Sequence, residues 1–123
     1  MKSFFIIISL FAIMLFGATC NFIYIRNLSD DLIQACQRLD GEQPREQISE
    51  QAKQIRTHWE RNRKFVQITV SHTEIEAIDH AVDALYVYAT LGDKADFTNA
   101  KQCTINAFEE LRSSETLFPT GVL

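Results

Sequence analysis

The sequence predicts an all-α protein in which an N-terminal transmembrane or signal-anchor helix precedes a small antiparallel, up-and-down bundle of three to four helices. Residues 4–25, FFIIISLFAIMLFGATCNFIYI, carry no charge, whereas the rest of the chain repeats apolar residues at the spacing of amphipathic helices. The connections between those helical segments are short, which favours antiparallel neighbours. A chain of 123 residues leaves room for one such domain.

The apolar N-terminal segment has the length of a membrane-spanning helix, which needs about 20 residues. Lys2 precedes it, as in a secretory signal, and the small residues 17–19 partly supply a cleavage site. Cys20 follows them and allows lipid attachment, although a threonine stands before it where a smaller residue is usual. Because the apolar character resumes over 22–25, we expect an uncleaved anchor at 1–26, with cleaved and lipid-anchored forms as alternatives.

The charges suggest an orientation and argue against one class of partner. Lys2 lies on one side of the apolar segment and Arg26 on the other, a slight bias that places the N-terminus inside and the C-terminal domain outside the cell. Beyond Lys2 the chain holds 11 of its 12 basic residues and all 16 acidic residues, a net charge of −5. A basic surface for nucleic acid is therefore not expected. We predict a single-pass protein of the cell membrane.

The first two bundle helices are predicted from their ends and their apolar spacing. Residues 29–31, Ser-Asp-Asp, have the composition of a helix start, with an N-cap and acids at the positive end of the helix dipole. Gly41 and Pro44 then break the pattern. The second helix is predicted over about 45–70. Its end, FVQITV, favours a strand by propensity, but a lone strand would have no partner, so we predict helix there.

The third helix has the best-marked start in the chain. Residues 71–74, Ser-His-Thr-Glu, fit a capping box. Gly92 is predicted to end this helix with a left-handed cap. A fourth helix follows over about 94–114, which completes a bundle domain at 27–116 and leaves 117–123 as a C-terminal tail.

The order of these features resembles a small bacterial family called domain of unknown function 4363. The shared features are an early lysine, the apolar segment, a Ser-Asp-Asp-Leu opening, a central Trp59 and the motif HTEIEAID at 72–79. The family motif is similar to His-Ser-Glu-Ile-Asp-x-Ile. The direct matches are His72, Glu74, Ile75 and Ile78. The resemblance implies few or no cysteines, whereas this chain has three. It implies a membrane-anchored helical architecture in Gram-positive bacteria without an established activity, and it suggests a polytopic membrane protein as partner.

The motif also contains a stripe of ionisable side chains on one face of the third helix. The stripe consists of His72, Glu76, Asp79 and Asp83. It could bind a hard cation or transfer protons. Alternatively, it could pair with the basic end of the second helix, since an antiparallel turn near Ser71 brings Arg63 and Lys64 level with Asp79 and Ile78. We predict ion pairing and keep the metal site as the less favoured alternative. Trp59 is predicted to be a packing residue of the core.

No recognisable motif assigns a reaction to the chain. A Gly-rich phosphate loop is absent, and no Ser or Cys lies in a nucleophile motif. Cys36 and Cys103 could form one disulfide outside the cell or remain free thiols. We expect no cofactor and no enzymatic activity, but a structural or interaction module that contacts a membrane protein or itself. The alternative is a secreted or lipid-anchored bundle that binds a ligand or a metal.

Overall fold

The structure, a computed structural model, describes residues 2–114 and has four α-helices over that range. The helices are α1 over Lys2–Gln37, α2 over Arg45–Val66, α3 over His72–Leu91 and α4 over Lys94–Ser114. The all-α class predicted from the sequence is confirmed. The predicted tail at 117–123 and the last two residues of the predicted bundle domain lie outside the described residues.

The helices pack as an antiparallel bundle. α2 and α4 both pack against α1, and α3 packs between them on the opposite side. The start of α2 lies beside the end of α3, where Arg45 Nη2 donates to the Gly92 carbonyl at 2.9 Å. Buried apolar side chains from all four helices fill the centre. There the Trp59 and Phe108 rings bring α2 and α4 together across the diagonal, with centroids 6.1 Å apart.

α1 is a single helix that continues from the apolar segment into the bundle, so the predicted helix start at 29–31 is wrong. Ser29 lies inside α1, is fully buried, and its Oγ finds no hydrogen-bond partner among the described residues. No Gly or Pro interrupts residues 18–40. Continuing a helix adds one hydrogen bond per residue, whereas a new start would leave backbone N–H groups unpaired. The helix therefore continues through a sequence that otherwise favours a cap.

The two parts of α1 have opposite surroundings. Every residue from 2 to 20 is exposed, whereas Ile25 is fully buried and begins the bundle core. Among the described helices, α1 is the one long and apolar enough to cross a membrane. None of its most apolar part is covered by protein, so it does not act as the core helix of a bundle. A hydrophobic helix of this kind at the N-terminus serves as a signal sequence or a membrane anchor.

α2 ends at Val66, four residues before the predicted end at Val70. Residues 67–70 form turns instead, and the Val70 N–H donates to the Val66 carbonyl at 3.0 Å. Two β-branched residues precede Val70 and lower the preference for helix. Ser71 then caps α3 as predicted, since its Oγ accepts from the backbone N–H of Glu74 at 3.3 Å.

α3 ends before Gly92 as predicted, but the predicted left-handed cap is wrong. Gly92 is extended, with φ −82° and ψ 169°. Glycine is needed there for another reason: a Cβ atom would lie 2.9 Å from Cα, the carbonyl oxygen and Cδ1 of Tyr88. Two of those three atoms belong to the helix backbone and cannot easily move. A glycine is thus required at this helix end because the chain passes too close to Tyr88 for a side chain.

The described structure contains free thiols. Cys36 is fully buried, whereas Cys103 and Cys20 are exposed, and none of the three forms a disulfide. Burial raises the pKa of the Cys36 thiol to about 12, and the nearby charge of Lys101 opposes this rise in part. A protonated, buried thiol is unreactive. Cys36 therefore acts as a small apolar side chain of the core.

We predict that Gly92→Ala destabilises the bundle by about 1–3 kcal/mol, the usual cost of forcing an extra methyl group into occupied space. Chemical unfolding followed by circular dichroism measures this effect. Gly41→Ala is the matched control, because a Cβ there would meet only side-chain carbons of Lys94, at 3.5 Å or more. Equal stabilities of the two variants would contradict the prediction.

Candidate functional site

The candidate site is the contact between α2 and α3, here called the α2–α3 seam. It consists of Arg56, Trp59 and Arg63 on α2 and of Asp79 and Asp83 on α3. The α2 residues recur every three or four positions and therefore share one face of that helix. The two aspartates lie one turn apart on α3. Because the helices run antiparallel, Arg63 pairs with Asp79, as the sequence predicted, and Arg56, further from the turn, reaches Asp83.

Asp79 is the centre of the seam. Its Oδ1 accepts from the indole Nε1 of Trp59 at 2.7 Å. The guanidinium of Arg63 approaches the same carboxylate through Nε, at 3.1 Å from Oδ1 and 3.0 Å from Oδ2, and through Nη2, at 2.9 Å from Oδ2. This forked contact is the geometry in which arginine binds a carboxylate most specifically. One aspartate therefore holds a buried indole and a guanidinium at once.

Burial divides the Asp79 cluster into an inner and an outer part. Trp59 is fully buried against Phe108, whereas the Asp79 and Arg63 side chains are 29% and 34% exposed. The hydrogen bonds from Arg63 to Asp79 and the charge of that carboxylate raise the pKa of the guanidinium. Asp79 thus lies at the edge of the core. It accepts a hydrogen bond from the indole on the inner side and pairs with the Arg63 guanidinium on the solvent side.

Arg56 forms a second and more exposed set of contacts. Its Nε lies 3.2 Å from Asp83 Oδ1 and 3.2 Å from Glu60 Oε1, and its guanidinium lies 5.6 Å from the centre of the Tyr86 ring. The Arg56 and Asp83 side chains are 40% and 57% exposed. Such pairs contribute about 0–1 kcal/mol each to stability. This contact therefore helps to align α2 with α3 more than it stabilises the bundle.

The other predicted residues lie outside the α2–α3 seam. His72 Nε2 lies 2.9 Å from Glu76 Oε1, one turn along α3, and both side chains are exposed. Lys64 is exposed and forms no ion pair with any residue between 2 and 114. It follows Arg63 by one residue, which turns it about 100° away from that side of α2. The predicted stripe therefore splits into an exposed pair near the turn and two aspartates paired with α2.

The positions of the stripe residues do not favour a shared metal. From His72 to Asp83 the helix rises by about 16 Å, much more than one ion can bridge. In the part of the chain that the structure describes, no three His, Cys, Asp or Glu side chains are grouped to hold a metal ion. Asp79 and Asp83 are moreover engaged by arginines.

The sequence did not indicate the hydrogen bond between Trp59 and Asp79. The one indication in the sequence is that a buried indole N–H needs a hydrogen-bond acceptor. The pattern of charges predicts that Asp79 pairs with Arg63 and Lys64, and it does not include Trp59. The acceptor could have been found from the register itself, since Trp59 precedes Arg63 by one helical turn and shares its face.

A family model described as Domain of unknown function (DUF4363) matches residues 20–117. The match covers most of the chain and includes all of α2, α3 and α4, together with the part of α1 that packs in the bundle. It confirms the family resemblance seen in the sequence. Comparisons with curated proteins and with solved structures find no match.

We predict that Asp79→Ala destabilises the bundle by about 1–3 kcal/mol, because the buried Trp59 N–H loses its acceptor. Asp79→Asn keeps an acceptor oxygen but loses the charge, so its loss should be smaller. Urea unfolding of the detergent-solubilised protein, followed by circular dichroism, measures both.

Asp83→Ala is the matched control for this measurement. It removes an aspartate one turn further along α3 whose partner is the exposed Arg56, so its effect should stay within about 0.5 kcal/mol. If Asp79→Ala costs no more than Asp83→Ala, Asp79 does not hold the seam.

Proposed function

We propose that this chain, which belongs to the family Domain of unknown function (DUF4363), is a single-pass membrane protein whose helical bundle lies outside the cytoplasm and against the membrane. In this proposal the bundle is a structural or interaction module and not an enzyme. The observation that carries it is the continuity of α1, which runs from the exposed apolar segment into the core of the bundle without a break.

The overlap between the apolar segment and the bundle supports an uncleaved anchor. Tyr24 belongs to the uncharged run, yet its hydroxyl donates to Asn62 Oδ1 on α2. Ile25 ends that run and is fully buried. These contacts tie the end of the apolar run to the bundle, so an uncleaved anchor would join the bundle without a linker. The 36 residues of α1 extend about 54 Å, enough for a span of about 30 Å and for the first helix of the bundle.

The polar contacts of the bundle support a structural role. The charged residues of the α2–α3 seam are engaged with each other. The buried hydroxyl of Thr104 donates within the bundle, at 2.8 Å from the Ala100 carbonyl and 3.1 Å from the Ala81 carbonyl. These groups thus connect helices of the bundle to one another.

An exposed apolar surface on α3 is the part of the bundle best suited to a protein partner. Val87, Tyr88 and Leu91 are 47%, 40% and 77% exposed near the end of that helix. This end lies away from the anchor, about 30 Å along α3 from Ser71. It would meet the extracytoplasmic part of a membrane protein or a second copy of the chain.

We predict that the protein extracted from membranes keeps its N-terminal apolar segment. Intact-mass spectrometry measures this directly. A mass that lacks residues 1–19 and carries a diacylglyceryl group on Cys20 would support the lipid-anchored alternative. A mass that lacks them without lipid would support the secreted one. Either result contradicts the proposed anchor.

Cys20→Ser separates these outcomes further. With a helical anchor, the variant stays in the membrane fraction after alkaline carbonate extraction, because the anchor does not depend on the thiol. A lipid-anchored protein would lose its attachment site and leave the membrane fraction.

We predict that a membrane-impermeant maleimide labels Cys103 on intact cells, since this thiol is exposed on a domain placed outside the cytoplasm. Cys36 in the same bundle is the internal control: it is buried, its pKa is raised to about 12, and it should react only after denaturation. Peptide mass spectrometry identifies the labelled residue. Labelling of Cys103 only after the cells are opened would place the bundle in the cytoplasm.

A further inference from the structure

We propose that the turn between α2 and α3, residues 64–70, enters the interfacial layer of the membrane that holds the anchor. Phe65 and Ile68 would be the side chains that contact lipid. This inference rests on the proposed function, because it needs α1 to span the membrane. We call residues 64–70 the proximal turn.

Two contacts show which part of α1 the proximal turn lies beside. Asn21 Nδ2 donates to Thr69 Oγ1 at 3.0 Å. The rings of Tyr24 and Phe65 meet edge to face, with centroids 6.5 Å apart. Both contacts join the turn to residues 21–24, which belong to the uncharged apolar run at 4–25. The proximal turn therefore lies beside the anchor and not above it.

The length of the apolar run then places residues 21–24, and with them the proximal turn, at the boundary between the hydrocarbon core and the interfacial layer. The hydrocarbon core takes about 20 residues of helix. Counted from Phe4, a span of that length ends near residue 23, between the two α1 residues that contact the turn. Arg26, the first charged residue after the run, is exposed and lies about one turn further from the membrane. No linker separates the two regions, since α1 is continuous here.

The side chains of the proximal turn are divided between the core and this boundary. Val66 and Val70 are buried in the bundle, whereas Phe65 and Ile68 are 61% and 77% exposed. The Ile68 N–H donates to the Phe65 carbonyl at 3.4 Å, as in a 3-10 turn, in which side chains three positions apart project on the same side. In water, this would be an unfavourable exposure of two large apolar groups next to the anchor. In the interfacial layer, the same groups are buried among lipid chains.

The neighbouring residues fit the same layer. Tyr24 presents an aromatic ring to Phe65 and a hydroxyl bonded to Asn62, the combination of apolar body and polar end that is enriched at membrane interfaces. Lys64 is exposed next to Phe65, and its long side chain can reach a lipid phosphate while its stem stays on apolar surface. This contact would give a role to Lys64, which lies outside the α2–α3 seam.

Fluorescence quenching by lipids tests the proposal on the full-length chain in vesicles of phosphatidylcholine and phosphatidylglycerol. Cys20→Ser and Cys103→Ser remove the exposed thiols, and the buried Cys36 remains. A single cysteine is then introduced by Ile68→Cys, Leu91→Cys or Leu10→Cys and labelled with nitrobenzoxadiazole. Leu91 is the matched control, because it is as exposed as Ile68, at 77%, and lies at the far end of α3. Leu10 lies in the middle of the anchor.

The expected result is strong quenching at position 68 by lipids with a nitroxide near the carbonyl end of the acyl chain, severalfold greater than at position 91. The label at position 10 should instead respond most to a nitroxide near the chain terminus. Quenching at 10 with none at 68 would overturn the lipid contact and leave the anchor intact. No quenching at 10 would overturn the proposed function itself. A blue-shifted label at 68 that no lipid quenches would mean protein contact, as in self-association, and would also overturn the proposal.

Discussion

The backbone of α1 is the constraint on which the rest of the molecule depends. One uninterrupted helix is fully exposed over its apolar first half and packed in a bundle over its second half. A break between the halves would leave backbone N–H and carbonyl groups without helical partners. α2 and α4 pack directly on α1, and α3 packs on both of them, so α1 fixes the positions of the other helices. The bundle is therefore held rigidly to the apolar half of α1.

Within the bundle, the polar groups of α2 and α3 are arranged around one carboxylate. Asp79 accepts a hydrogen bond from the fully buried indole of Trp59 and binds the fork of Arg63. Without such an acceptor, the buried indole N–H would be an unpaired donor, which costs stability. The alignment of the two helices is supported by this contact, by the pair of Arg56 and Asp83 and by the contact of Arg45 with Gly92 at the other end. His72 and Glu76 take no part in it.

The sequence predicted the features that follow from local pattern and helix direction, and it missed those that depend on packing and on side-chain conformation. The cap at Ser71 and the antiparallel register of Arg63 with Asp79 follow from local pattern and from the direction of a short turn. Ser29 has the same local signals as a cap, yet it lies inside a helix. The chain before it is already helical, and the burial of Ile25 and of later residues in the bundle stabilises the continued helix. The geometry at Gly92 depends on the approach of Tyr88. The register of Arg63 brings Trp59 near Asp79, but the hydrogen bond between them also depends on two side-chain conformations that periodicity does not encode.

Trp59 is the only tryptophan in the chain, so its environment gives the molecule an intrinsic optical reporter. The indole is enclosed by apolar side chains and bonded to a carboxylate at its nitrogen, whereas the apolar half of α1 contains no tryptophan. Its emission therefore reports the packing of the bundle without a contribution from the apolar half of α1. Detergent, lipid and a partner protein can each be compared by the wavelength of one fluorophore, and no label needs to be attached to the chain.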